Sequence, residues 1–378
     1  MRAHIQAWGT RMRIVYRLGL ITTLLLAWPA LAQGPVFPTT GQGLYEVGCA
    51  KCHGDDGAGV DLATVGFDEP LPDFTDCAFA SREPDPDWIA VSHEGGPVRA
   101  FSRTMPAFGG AFTVEQLQLI MDHIRGYCTD DRWPRGELNL PRALVTEKAF
   151  PEDEAVYTAS VNANNGGGVV NAIIYEKRFG PRSMWEVEIP FGARELSAEN
   201  GWGNVGFGDI AVAIKHTMHH SVEAGNILSV GTEVKLPTGS EEQGRGNGVT
   251  VVEPFVAFGQ ALPGDGFLQA FAGVELSTDS DKRAHQAIAR IVVGDTWTQG
   301  EFGRAWSPMV EVLSAVPLED SAEVLWDVVP QIQVALNTRQ HVLLNLGVRV
   351  PLNGERRSTQ ILMSVLWDWF DGGLFDGW

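Results

Sequence analysis

Basic residues are scarce in this chain. Its 378 residues carry 28 lysines and arginines against 47 aspartates and glutamates, a formal net charge of −19. So acidic a protein does not bind through phosphates, which excludes nucleic acid and leaves cations or a basic redox partner as the charge-matched ones. Long apolar runs are also missing. The exception is Leu18 to Trp28, preceded by Arg2, Arg11, Arg13 and Arg17 and followed by Pro29 and Ala30-Leu31-Ala32. A basic region, a short apolar stretch and a small-x-small site predict a secretory signal peptide over residues 1–32, with the mature chain beginning near Gln33. No later run approaches a transmembrane helix. Cysteine is rare, four in all, and no second ligand pair exists at the spacing a structural zinc site needs.

What is present begins with Cys49-Ala50-Lys51-Cys52-His53. Two thiols two residues apart, followed at once by histidine, have the spacing of a c-type haem attachment site. Each thiol forms a thioether to one haem vinyl, and the imidazole reaches the iron from the face those bonds fix. A thioredoxin-like motif needs a βαβ setting, which the flanking residues do not offer. Haem of this type is attached outside the cytoplasm, in agreement with export. The iron needs a sixth ligand or an open position. Met105, in Thr104-Met105-Pro106-Ala107-Phe108, is the first candidate; a thioether there raises the reduction potential and suits electron transfer. A core methionine is the alternative reading. His93 is a rival ligand, and Met121 and His123 are weaker ones. Cys77 and Cys128 read as a disulfide in an oxidising compartment, with two free thiols as the alternative.

Around these residues the pattern is helical. Gly43 to Gly48 leads into the haem motif as one short helix, and a Gly- and Asp-rich loop, 54–59, follows. Thr113 and Gln116 make a capping box, and Leu117, Ile120, Met121, Ile124 and Tyr127 form one apolar stripe behind it. With Gly41-x-x-Leu44-Tyr45, Cys-x-x-Cys-His-Gly, Met-Pro-Ala-Phe and a closing helix with an aromatic near its end, residues 41–128 resemble a class I cytochrome c. The resemblance implies an all-α fold whose first and last helices cross, one covalent haem c, and His53 and Met105 as axial ligands. The pair Cys77/Cys128 lies outside the general pattern and would tie the loop after the haem motif to the last helix. The domain is taken as residues 33–130.

Residues 131–155 carry Trp133-Pro134-Arg135-Gly136, Pro141-Arg142 and Pro151-Glu152-Asp153-Glu154. They read as an extended, charged linker, parts of which pack on the haem domain. From 156 to 378 the texture changes to alternation in segments of about ten residues. Leu228, Val230, Thr232, Val234 and Leu236 share one face against Ser229, Gly231, Glu233 and Lys235; Leu344, Leu346 and Val348 oppose Asn345, Gly347 and Arg349. The pattern predicts about twelve strands. Alternation alone fits a sandwich with its oily face inward or a barrel with that face toward lipid. Three features favour an antiparallel transmembrane barrel. Short turns such as Gly180-Pro181-Arg182 and Asn337–Gln340 alternate mostly with longer loops, above all Arg194–Gly206 and Thr238–Gly248. Trp185, Trp297, Trp306, Trp367 and Trp369 sit near strand ends, where they would form girdles. No transmembrane helix competes. Trp378 ends the chain on an aromatic, but Asp371-Gly372-Gly373 breaks the alternation before it and predicts a tail. Gly206-x-Gly208-Asp209-Ile210-Ala211-Val212 and Leu236-Pro237-Thr238-Gly239 resemble motifs of porin-like proteins grouped with hydrocarbon-uptake channels.

The fold expected is therefore multidomain: an all-α class I cytochrome c domain, then an all-β antiparallel barrel in the outer membrane, in contact with its lipid. An even strand count puts both barrel ends, and the haem domain, on the periplasmic side. The plan resembles porin–cytochrome fusions proposed for iron oxidation at cell surfaces, with a fuller cytochrome and a smaller barrel. Twelve strands are too few to admit a folded domain with a radius of gyration of about 13 Å, so the haem domain is expected below the mouth. The function expected is single-haem electron transfer with a periplasmic redox partner, or with a small redox-active solute arriving through the lumen. The alternative is a diffusion or uptake pore with a cytochrome attached. A haem enzyme such as a peroxidase would need an open sixth position. Among smaller signals, Glu233, Lys235, Glu253, Arg290 and Arg349 are expected in the lumen, His216, His219 and His220 on a solvated turn, and Pro97-Val98-Arg99 near the haem propionates.

Overall fold

Helices give way to strands where the apolar period drops from about 3.6 residues to 2. The computed structural model describes residues 38–164, 166–197 and 201–378; the signal peptide expected over residues 1–32 lies outside them. Helix α1 (Gly41–Gly48) is capped by Thr40, whose hydroxyl accepts the Gly43 N–H at 3.2 Å. One short helix thus leads into the motif, as the sequence predicts, and the backbone breaks at Cys49 before the single turn α2 (Ala50–His53). Then come α3 (Cys77–Ala80), α4 (Asp85–Glu94), a 3-10 turn at Gly96–Arg99, and α5 (Val114–Arg125). Both arms of the capping box form at α5: Gln116 N–H to Thr113 Oγ1 at 3.3 Å, and Thr113 N–H to Gln116 Oε1 at 2.9 Å.

Leu117, Ile120, Met121 and Ile124 of α5 are buried against Leu44 and Tyr45 of α1. Each such side chain contributes roughly 1.5–3 kcal/mol of burial, which makes this crossing the core of the helical unit. The crossing is close because of Gly41. A Cβ there would stand 2.0 Å from the Leu119 carbonyl oxygen. Cys77 and Cys128 are disulfide-bonded, tying the start of α3 to the chain after α5, as expected of them.

Twelve long strands follow: β1 (Glu154–Asn162), β2 (Gly168–Phe179), β3 (Ser183–Ser197), β4 (Ala211–Ser221), β5 (Asn226–Lys235) and β6 (Val251–Ala261), then β7 (Gly266–Ser277), β8 (Gln286–Asp295), β9 (Ala305–Pro317), β10 (Leu325–Ala335), β11 (Val342–Pro351) and β12 (Gln360–Asp368). Each pairs antiparallel with the next, and β12 returns to β1 with Glu154 opposite Asp368, so the sheet closes. The outer face is apolar: Ile173, Ile214, Ile291, Val293 and Ile361 are at least half exposed. The inner face carries buried polar groups, among them Glu176, Lys215, Ser229, Gln269, Glu311 and Asn345. A sandwich would show the reverse, so the alternation reports a lipid-facing barrel.

Short connections gather at one end, and the long ones between β3 and β4 and between β5 and β6 at the other. Trp185, Trp297, Trp306, Trp367 and Trp369 all stand on the short-turn rim, with Trp297 directly opposite Trp306. Residues 369–378 leave the sheet as a tail. It folds back on the β10–β11 turn, where Asn337 Nδ2 donates to Asp376 O at 2.8 Å.

The connector between the two units is not a free tether. It enters the barrel at the short-turn end and lies across the lumen, bonded to the wall on opposite sides. Gln269 Nε2 donates to Pro141 O at 2.8 Å, Asn345 Nδ2 to Arg142 O at 3.0 Å, and Arg290 to Val145 O at 2.7 Å. Leu138, Ala149 and Phe150 pack under Ile227, Phe255, Phe271 and Ile288 of the wall. Gly347 is part of the fit, since a Cβ there would meet Leu144 Cδ1 at 2.6 Å.

Candidate functional site

The break at Cys49 and the single turn of α2 put Cys49, Cys52 and His53 side by side. Both thiols are unbonded, while the other two cysteines take each other. Burial, and then the neighbouring Cys52, push the Cys49 thiol up to about 11. Redox-active thiols in such motifs are shifted the other way, toward thiolate. His53 stacks on Phe74 with ring centroids 4.9 Å apart. Burial lowers its pKa, which favours the neutral imidazole that can ligate a metal. Its Nδ1 is buried without a protein partner. Two free thiols beside a neutral imidazole that lacks a protein partner at one nitrogen form a donor set that fits a haem held by thioethers.

Met105 lies half-buried in the loop before α5, and its carbonyl accepts the Gly96 N–H at 3.0 Å. Met121 is 2% exposed in the α1–α5 core, the packing role its stripe predicts. The His123 ring bonds Tyr127 OH at 3.1 Å and lies edge-on to Tyr45. His93 pairs with Glu94 at 2.7 Å and faces Phe302, in the β8–β9 turn, at 5.1 Å. The Arg99 guanidinium is 2.7 Å from Asp87 and donates to Phe302 O at 2.7 Å.

Those last contacts belong to a clamp between the helical unit and the barrel rim. Arg339, in the β10–β11 turn, donates to Ala100 O at 3.0 Å and lies 4.5 Å over the Phe101 ring. Arg82 pairs with Asp153 and sits 3.6 Å over Phe370 of the tail. The clamp holds the Gly96–Arg99 turn, whose first N–H in turn holds the Met105 carbonyl.

Residues 37–124 match the family model of cytochrome C oxidase, cbb3-type, subunit III. The helical unit is a cytochrome c domain. That family implies covalently bound haem c, and a cytochrome c domain implies electron transfer. The cytochrome domain is fused to a closed twelve-strand antiparallel barrel with an apolar exterior, the architecture of outer-membrane barrels. Among solved structures, the barrel is similar to an outer membrane channel from Pseudomonas putida F1, at 11% identity and a TM-score of 0.45, over 60% of this chain and 99% of that one. It is also similar to the KdgM porin, at 9% identity and a TM-score of 0.37, over 57% and 99%, and to the NanC porin, at 8% and 0.40, over 56% and 98%. No curated protein sequence matches the chain. The barrel rests on its own closed pairing and apolar exterior. Among the described residues, no helix is long and apolar enough to cross a membrane.

Within the cytochrome–porin chain, all five lumen candidates, Glu233, Lys235, Glu253, Arg290 and Arg349, line one cavity of about 340 Å³ beside the connector. His216 bonds Ser183 Oγ at 2.8 Å, and the three histidines form no ion-holding group among the described residues. The sequence reading missed the connector's place in the lumen. Phe255, Phe267, Phe271, Ile288 and Met309 face inward and are buried. Apolar residues on a face expected to be polar need an apolar cover, and that was the available signal.

Proposed function

We propose that the chain is a single-haem electron-transfer protein of the outer membrane, with its cytochrome domain at the periplasmic mouth of the barrel. Cys49 and Cys52 hold the haem, and His53 and Met105 are its axial ligands. Bound haem c supplies a one-electron iron couple. Phe74 orients the His53 ring, and the Gly96 N–H fixes the Met105 backbone. The rim contacts of Arg82, Arg99 and Arg339 hold the domain against the barrel. The observation that carries this reading is that clamp, formed at the end where both barrel termini lie.

A haem at one end does not span an apolar band about 25 Å tall. With the connector across the lumen, exchange takes place on the haem-domain side, with a periplasmic redox protein or a small redox-active solute. The acid excess favours a basic partner. A redox titration with optical spectra of the purified protein tests this: one low-spin His/Met centre supports it, and a high-spin haem with an open position argues for an enzyme instead.

The second reading, solute passage, is favoured by the charged cavity of about 340 Å³ and requires the connector to move. Solute flux in liposomes that is indifferent to haem reduction would support it.

A further inference from the structure

Glu176 and Glu186 stand directly opposite each other on β2 and β3, both buried and both turned into the lumen. Like charges in that register repel. Elsewhere the barrel resolves such a pair with a lysine: Glu233 faces Glu253 across β5 and β6, and Lys235 Nζ lies 2.8 Å from one and 3.3 Å from the other. Among the described residues no lysine forms an ion pair with the first pair. Arg142 of the connector reaches Glu176 Oε1 at 2.6 Å. Glu176 is 0% exposed, yet its Oε2 has no hydrogen-bond partner, and among the described residues no ion pair reaches Glu186.

The third acidic group comes from the connector. Glu147 pairs with Lys215 Nζ at 2.5 Å, and one carboxylate oxygen from each of Glu147, Glu176 and Glu186 lies within 4.8 Å of the others. The local charges do not balance. Lys148 is taken up by Glu152 and Glu154. That leaves Arg142 and Lys215 against three carboxylates, with Arg142 also shared by Glu154. Buried charge without a counter-charge is costly, and three converging carboxylate oxygens are hard donors suited to a divalent cation of the Mg²⁺, Ca²⁺ or Mn²⁺ type.

We propose that Glu147, Glu176 and Glu186 form a divalent-cation site that pins the connector to the barrel wall. The site is independent of the haem and of the electron-transfer reading. It joins one residue of the connector to two of the wall, so the bound ion cross-links them.

The test uses the full chain in detergent micelles, stripped of metal with a chelator and titrated with Mn²⁺. Free ion is followed by its room-temperature electron paramagnetic resonance signal. The wild type is expected to take up one Mn²⁺ at least tenfold more tightly than the weak sites of its acidic surface, with Mg²⁺ or Ca²⁺ competing. Glu176→Gln and Glu186→Gln are each expected to abolish that tight site, while Glu223→Gln, on an exposed turn, leaves it intact. Glu186→Gln removes a carboxylate without an ion pair, so it reports even if Glu176→Gln fails to fold. Absence of a tight site in the wild type, or its survival in folded Glu186→Gln, would overturn the proposal and leave protonation as the way the pair is relieved.

Discussion

Thr146 and Glu311 are bonded twice, although 165 residues separate them: the Thr146 N–H donates to Glu311 Oε2 at 2.9 Å and the Thr146 hydroxyl to the same oxygen at 2.6 Å. Val145 N–H takes the other oxygen at 3.1 Å. One fully buried wall carboxylate thus closes the middle of the connector. Glu311→Ala leaves those donors unpaired at a cost of roughly 1–3 kcal/mol each. The expected outcome in planar bilayers is a wild type that is mostly closed and a variant with frequent larger openings. Equal conductance would show that the connector does not obstruct the lumen.

The clamp predicts that the sixth ligand depends on the loop it supports. Met105→Ala should lose the low-spin His/Met spectrum. Its potential should fall by on the order of 0.1 V, within the roughly 0.8 V range that axial ligands command. His93→Ala should change neither, because its ring is engaged by Glu94 and Phe302. Optical spectra during redox titration check both variants.

The Cys77–Cys128 bridge closes a long loop, with a sequence separation of 51. The double variant Cys77→Ala/Cys128→Ala should lose about 2–4 kcal/mol from the cytochrome domain, with the barrel unchanged. Denaturant melts followed at the haem and at barrel circular dichroism separate the two.

Asp85 gives the cytochrome domain its acid sensitivity. Burial raises its pKa, but Arg125 at 2.8 Å, the Gln118 amide and Arg135 overcome this and hold the carboxyl below the usual range. A depressed folded value means that the stabilisation is complete above the unfolded value of about 3.9 and fades as pH falls through the folded one. Asp85→Asn should cost about 1–3 kcal/mol at pH 7 and flatten the stability profile below pH 4. A variant profile parallel to the wild type there would contradict the assignment.

Much of this was legible in the residues. The Cys49–His53 spacing, the Thr113/Gln116 box and the stripe behind it depend on neighbours a few positions apart, and a single sequence records those. Strand after strand followed from alternation, because the lipid-facing side must stay apolar at every second residue. The connector was not legible. Leu138, Leu140, Leu144 and Phe150 follow no period among prolines and arginines, and their partners lie far along the chain in the wall. The clamp at Arg99 and Arg339 escaped for the same reason. The short helix before the haem motif was legible; the break at Cys49 and the single turn after it were not, because propensity does not foresee a backbone turn there.

The central claim is a haem reachable from one face of a barrel whose lumen is crossed by its own connector. The most direct measurement is haem reduction in proteoliposomes of uniform orientation by a membrane-impermeant dye, added either to the haem-domain side or to the opposite side. Rapid reduction from the haem-domain side alone is the predicted result. Equal reduction from both sides of intact vesicles would contradict it.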